Sequence, residues 1–228
     1  MCSAYSFLYS YRDSKESPIP YINSKTAEEA FNKLLQIKTE ISNDEIFKID
    51  EEYNIKMLTE ETILFSNFWD FEHNIPNYYM SPPPGKNEDV NGSCLGGYLL
   101  GINNYISNDR KLASAEIIKF LTSEYVQKEI ILKYFKSFSG LFKLYDDPEI
   151  CSYTDCELIK TIQGIERPSS VIDNYEYYSN KYTDLIAEFL FNNKSINEVL
   201  SEIEDITKIY DFSITSSTIG LDSQNLDT

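Results

Sequence analysis

Cys94-Leu-Gly-Gly-Tyr-Leu-Leu-Gly-Ile-Asn-Asn104 opens a segment that closes at Ser139-Gly-Leu-Phe-Lys-Leu-Tyr-Asp-Asp147. The double glycine and the aromatic after it feed a short apolar run, Tyr98 to Ile102, which reads as a strand. An Asn/Ser/Asp turn follows. A helix is then predicted over Lys111 to Leu121, with apolar residues at Leu112, Ala115, Ile117, Ile118 and Leu121. Thr122 and Ser123 offer an N-cap for a second helix running to about Phe135. Ser139-Gly140-Leu141 comes next. Glycine lets a backbone approach a ligand closely, and an aromatic beside it offers a flat face. Gly-Gly-aromatic alone is an ordinary loop or strand start. The order of strand, turn, two helices and glycine turn carries the information.

That order resembles the C-terminal part of the family 1 extracellular solute-binding proteins, the maltose- and trehalose-binding type. Further blocks fit in the expected sequence. Thr26 to Ile41 resembles the helix that precedes an Asn-Phe-Trp block. Ile63-Leu-Phe-Ser-Asn-Phe-Trp-Asp70 resembles the strand and turn that present a tryptophan to the sugar. Ile165-Glu-Arg-Pro168 resembles the family's Arg-Pro turn. Tyr178 to Ile209, with Asn193-Lys-Ser-Ile-Asn-Glu-Val-Leu200, resembles the closing helices. The resemblance spans residues 5 to 210. It implies an α/β, helix-rich fold of the type II periplasmic-binding-protein kind, represented in part.

The resemblance also implies a division of the chain. Residues 1–88 map to the second lobe, 94–142 to a strand-helix-helix segment of the first lobe, and 143–210 to a return into the second. Cys2 to Tyr11 resembles a helix inside the second lobe. The expected chain is therefore truncated relative to a complete binding protein, and the 94–142 segment lacks the sheet it would pack on. Such a segment exposes apolar surface. Ser81-Pro-Pro-Pro-Gly-Lys-Asn-Glu-Asp89 is a stiff, turn-rich connection between apolar stretches. Tyr145-Asp-Asp-Pro148 reads as a turn and helix start. Residues 211–228, rich in Ser, Thr and Asp, read as a disordered tail or linker.

Bulk composition narrows the function classes. A chain of 228 residues buries about 70–75% of its unfolded surface. Hydrophobic content of 42% with 14% aromatics marks a folded protein. The net charge of −17 excludes a nucleic-acid partner, because phosphate binding needs clustered Lys and Arg. It also disfavours an anionic membrane surface. The 18 tyrosines suit carbohydrate faces, and equally a compositional drift toward Tyr, Asn, Ile and Lys.

Cys2, Cys94, Cys151 and Cys156 contain no Cys-x-x-Cys, and one histidine is present, so no metal site is expected. Cys151 and Cys156 either close a small loop in an oxidising compartment or stay unpaired. Asn91-Gly-Ser93 and Asn193-Lys-Ser195 match the glycosylation sequon. No run of about 20 apolar residues spans a membrane. No signal peptide is visible at Met1-Cys-Ser-Ala-Tyr5, which conflicts with the extracellular or periplasmic location the resemblance implies.

The resemblance points to Trp69, Asp70, Gly97, Tyr98, Gly140 and Arg167 as ligand-binding residues. Trp69 is the only tryptophan. An indole stacks on the apolar face of a pyranose, and Asp70 or Asn67 bonds hydroxyls. The alternative is a core tryptophan beside Phe68 and Phe71. Tyr98 follows Gly96-Gly97 where many relatives carry tryptophan. Gly140 stands where relatives have a small cleft-lining residue. Arg167 suits a forked bond to sugar hydroxyls, or is a surface arginine on a turn. His73 has no partners at triad or metal spacing and reads as a solvated loop residue. Glu28/Glu29, Asp50 to Glu52 and Glu60/Glu61 read as solvated helix faces and first-turn acids, not as the converging carboxylates of a glycosidase. No phosphate-binding glycine loop is present.

The expected function is non-catalytic binding of a small polar solute, a sugar or oligosaccharide, without cofactor. In the family this feeds an ABC transporter or a sensor, so a membrane transporter or receptor is the expected protein partner. The alternative is a truncated, non-binding remnant or protein-interaction module of the same fold.

Overall fold

The computed structural model describes residues 1–68, 75, 77–97, 99–168 and 172–208. The chain forms two compact units. The first comprises Met1–Lys56, Pro83–Leu95 and the chain from Gln163 onward; the second comprises Met57–Pro82 and Gly96–Ile162.

The first unit is built on helices α1 (Cys2–Tyr9), α2 (Lys25–Glu40), the start of α3 (Glu51–Thr59), α6 (Ile172–Asn192) and α7 (residues 196–208). Ser24 caps α2 through its side chain, which accepts from the Ala27 N–H at 3.2 Å. Glu28 and Glu51/Glu52 sit in first turns, where the helix dipole favours them. Ala27, Ala30 and Phe31 repeat at helical spacing and face a core shared with Leu8, Tyr182, Phe189, Val199 and Ile203. The helices expected over Thr26 to Ile41 and from Tyr178 onward are present, although Ile209 lies outside the described residues.

Strands are few. β1 (Ser93–Cys94) and β2 (Gly164–Ile165) pair in parallel, Ser93 opposite Gly164 and Cys94 opposite Ile165. A clamp holds them. Arg12, only 1% exposed, donates to the carbonyls of Tyr9 (2.7 Å), Asn91 (3.0 Å) and Ser14 (3.2 Å) and to Gln163 Oε1 (2.5 Å). Gln163 N–H donates to Asn91 Oδ1 at 2.8 Å, and Asn91 N–H returns a bond to Gln163 Oε1 at 3.1 Å. Gly92 is required by close approach: a Cβ there would lie 2.4 Å from Ser6 O and 2.8 Å from Ser10 N. α1 thus packs backbone to backbone against the segment leading into β1.

Tyr182 is also 1% exposed, and its hydroxyl has no partner among the described residues. Burial pushes its pKa up. A buried unpaired hydroxyl costs about 1–3 kcal/mol. Tyr182→Phe is therefore expected to stabilise the protein by about 1 kcal/mol, raising the thermal midpoint by about 2–4 °C. A lowered midpoint would mean the hydroxyl has a solvent partner inside the core.

The second unit holds α4 (Asn108–Leu121), a π-helical segment (Val126–Tyr134), short 3-10 turns at Phe142–Asp146 and Ile150–Ser152, and α5 (Cys156–Thr161). Its core is smaller: Leu132, Leu144, Tyr145, Ile150, Cys156 and Ile159, with Leu141 packed against it. Cys151 and Cys156 are bonded as a disulfide, so the bridged alternative holds. Tyr145 Oη donates to Ser139 O (3.0 Å) and accepts from Ser139 N–H (2.8 Å), which fixes the turn before Gly140. Lys128 bonds Asp147 (2.6 Å) and Glu149 (2.8 Å), and Lys133 bonds Glu129 and Glu149. These carboxylates hold the Lys128 pKa up.

Several local expectations change. The helix predicted from Lys111 begins three residues earlier, at Asn108. The second predicted helix exists, but its turns are wide: Phe135 N–H reaches Ile130 O at 2.9 Å and Ser137 N–H reaches Ile131 O at 3.1 Å. Ser123 accepts from Val126 N–H at 3.4 Å, in the capping place; Thr122 instead closes α4, its hydroxyl donating to Ile118 O. Residues 99–102 form no strand, and neither do 63–68. Both runs are apolar, yet Leu99 is 99% and Phe65 90% exposed. A strand needs a paired edge, and neither run has a neighbouring strand among the described residues. The expected tail at 211–228 lies outside the described residues.

Candidate functional site

The residues proposed from sequence fall into three groups. Trp69, Asp70 and Tyr98, with His73, lie outside the described residues. Gly97 and Gly140 belong to the second unit. Both are exposed, and a Cβ on either would meet nothing within 4 Å. Neither has a positive φ, so no backbone strain demands glycine there. What each leaves is open space beside the main chain. Arg167 belongs to the first unit.

Arg167 follows β2 and is half-buried. Its guanidinium lies near the Tyr175 hydroxyl, close to the start of α6, and favours the ionised phenol there. It also faces the thiols of Cys2 and Cys94, near enough to favour their charged forms. Those two cysteines are not disulfide-bonded, Cys2 half-buried at the start of α1 and Cys94 buried in β1. The Cys94 thiol beside it pulls the Cys2 pKa down, and Cys2 pushes Cys94 up; burial opposes the first and adds to the second, and Arg167 lowers both. Burial is the main cause that raises Tyr5, to about 12, and it also raises Tyr175. Arg167 is thus the cation of a small polar corner made of Cys2, Cys94 and Tyr175. Sequence reasoning missed this corner. The only signal was two cysteines 92 residues apart (94 − 2), and nothing local joins them.

Other sequence readings resolve plainly. Asn91 is buried with its amide engaged by Gln163, so the Asn91-Gly-Ser93 sequon offers no accessible acceptor. Glu29 pairs with Lys86 at 2.6 Å on the surface, and that bond keeps its pKa low. Among the described residues no group of three or more His, Cys, Asp or Glu is placed to hold a metal ion. Among them, too, no helix is long and apolar enough to cross a membrane.

Many aromatics of the second unit face outward. Besides Phe65, the rings of Tyr79, Tyr105, Tyr125, Tyr134 and Phe142 are exposed. α4 buries none of its residues, and Leu112, Ile117 and Phe120 face solvent.

These elements define a helix-rich, partial fold of the type II periplasmic-binding-protein kind. The chain matches the solved structure of maltose-bound MalE3 from T. maritima with a TM-score of 0.66 at 20% identity; the match covers 92% of this chain. The chain spans 57% of the length of that protein. At this identity the likeness shows the fold. No protein-family profile matches the sequence, and no curated protein matches it.

Proposed function

We propose that this chain takes part in non-catalytic binding of a small polar solute, a sugar or oligosaccharide, as part of the receptor for ABC-type uptake or of a sensor. The observation that carries this reading is the fold shared over 92% of the chain with a protein whose structure holds maltose. The ligand residues in this reading are Trp69, Asp70, Gly97, Tyr98, Gly140 and Arg167. Residues 94–142 act as first-lobe chain; 1–88 and 143–210 act as second-lobe chain. The bare apolar face of α4 supports the first part of that assignment, because a helix with no buried residue has a partner still to meet. An extracellular or periplasmic location is part of the same proposal, and the Cys151–Cys156 disulfide supports it.

Arg167 serves this site if a sugar hydroxyl reaches its guanidinium, whose neighbour is the Tyr175 hydroxyl. A part-length site binds weakly. Each sugar hydrogen bond exchanged from water nets about 1 kcal/mol, and one stacked aromatic adds about 0.5–1.5 kcal/mol. Micromolar affinity needs roughly 8 kcal/mol.

Titrating maltose, trehalose and longer glucans against the 228-residue chain, followed by Trp69 emission, is expected to give a saturable change at millimolar concentration or above. Trp69→Ala weakens this binding by about 1–3 kcal/mol, read by saturation-transfer NMR. No response to any of these sugars favours the second reading, a non-binding remnant or protein-interaction module. The specific observation behind that reading is again α4, whose exposed Leu112, Ile117 and Phe120 suit a protein surface.

A further inference from the structure

We propose that Cys2 and Cys94 form a thiol–disulfide exchange site, in which Cys2 attacks a small-molecule disulfide and Cys94 resolves the adduct to a second intrachain disulfide. The placement is a property of the fold. Cys2 and Ser6 are one turn apart on α1 and share a face. Ser6 Oγ accepts the Cys94 N–H at 2.7 Å, which fixes β1 against that face. Gly92 lets the two backbones approach this closely, since a Cβ there would lie 2.4 Å from Ser6 O. In this frame the two cysteines are neighbours, Cys2 one turn from the residue that holds Cys94, and each thiol acts on the other's proton affinity.

The division of labour follows from exposure and charge. Cys2 is partly exposed and Cys94 is 8% exposed, so an oxidant from solvent meets Cys2 first. Cys94 and the Arg167 guanidinium favour the Cys2 thiolate, which is the nucleophile. With oxidised glutathione as the disulfide, the Cys2 thiolate attacks one sulfur, the glutathione S–S bond breaks, and one glutathione thiolate leaves. Cys94 then gives up its proton and its sulfur attacks Cys2, expelling the second glutathione. The dithiol loses two electrons, oxidised glutathione gains them, and both thiol protons end on two reduced glutathiones. Cys151 and Cys156 already form a disulfide in the other unit and take no part.

The test treats the purified chain, folded and gently reduced, with oxidised glutathione, then blocks free thiols and maps peptides by mass spectrometry. The expected product is a Cys2–Cys94 linked peptide pair with no retained glutathione. In Cys94→Ser the glutathione stays on Cys2, because nothing resolves it. In Cys2→Ser the buried Cys94 remains unmodified. The proposal is overturned if the wild-type chain keeps glutathione on Cys2, if both thiols stay free at oxidant levels that modify a free cysteine peptide, or if Cys2 crosslinks between chains instead. The wild-type map alone distinguishes these outcomes, so the result stands even if a variant folds poorly.

Discussion

Replacing Arg12 by leucine is expected to lower the free energy of unfolding by about 3–5 kcal/mol, the cost of stranding buried acceptors. The guanidinium is almost wholly buried, stacked 3.5 Å over the Tyr9 ring, and its acceptors are all uncharged. Burying a cation without a bonded carboxylate is costly in itself, and burial pulls its pKa down. Removing it relieves that cost. The same change takes a charged donor from the carbonyls of Tyr9, Asn91 and Ser14 and from Gln163 Oε1, which keeps only the Asn91 N–H. A bond to a charged donor contributes about 1.5–3 kcal/mol, and a stranded buried acceptor costs about 1–3 kcal/mol. The losses outweigh the relief because one side chain serves several acceptors. Arg12→Lys is expected to recover part of the loss, since an ammonium supplies a point charge but not the planar fork. Denaturant melts of the three proteins check the order. A loss below about 1 kcal/mol for leucine would show that water reaches the stranded carbonyls.

The clamp also shows what was legible in the sequence. α4 announces itself through helical spacing of apolar residues, and α2, α6 and α7 fall where the family resemblance implies helices. The strands do not. β1 and β2 have two residues each, and their place depends on Arg12, Asn91 and Gln163 meeting from three parts of the chain. No window of sequence contains that meeting. Apolar runs at 63–68 and 99–102 carry the right composition for strands, but composition without a paired edge leaves exposed coil.

The candidate site divides in the same way. Arg167 was legible as the arginine of an Arg-Pro turn, yet its nearness to Tyr175 depends on how α6 begins. Gly97 and Gly140 were legible as glycines, and their open surroundings emerge only in three dimensions. Cys2 and Cys94 were visible only as members of a cysteine count. The exposure of Leu112, Ile117 and Phe120 on α4 emerges only in three dimensions, since apolar spacing alone would read as a core-facing helix.

Phe31→Ala is expected to destabilise the protein by about 3–5 kcal/mol. Phe31 is fully buried, and so are Ala27 and Ala30 on the same stripe of α2. The alanines let neighbouring backbone come close, and Phe31 fills the space they leave. Its cluster includes Val199, Leu200 and Ile203 of α7 and Phe189 and Leu190 of α6. Truncation therefore opens a cavity whose nearest helical neighbours are methyl groups that cannot swing in to fill it. The cavity term then adds to the lost transfer free energy, about 24 cal/mol for each Å³ left empty. Phe31→Leu keeps much of the volume and is expected to cost less than half as much. Denaturant melts give the free energies. Amide exchange locates the damage, since protection in α6 and α7 should fall with the global stability if these helices share one core with α2. A cost for alanine near that of leucine would mean that α2 moves inward and closes the gap. The alanine pair would then be the adjustable part of this core, with Phe31 dispensable to its packing.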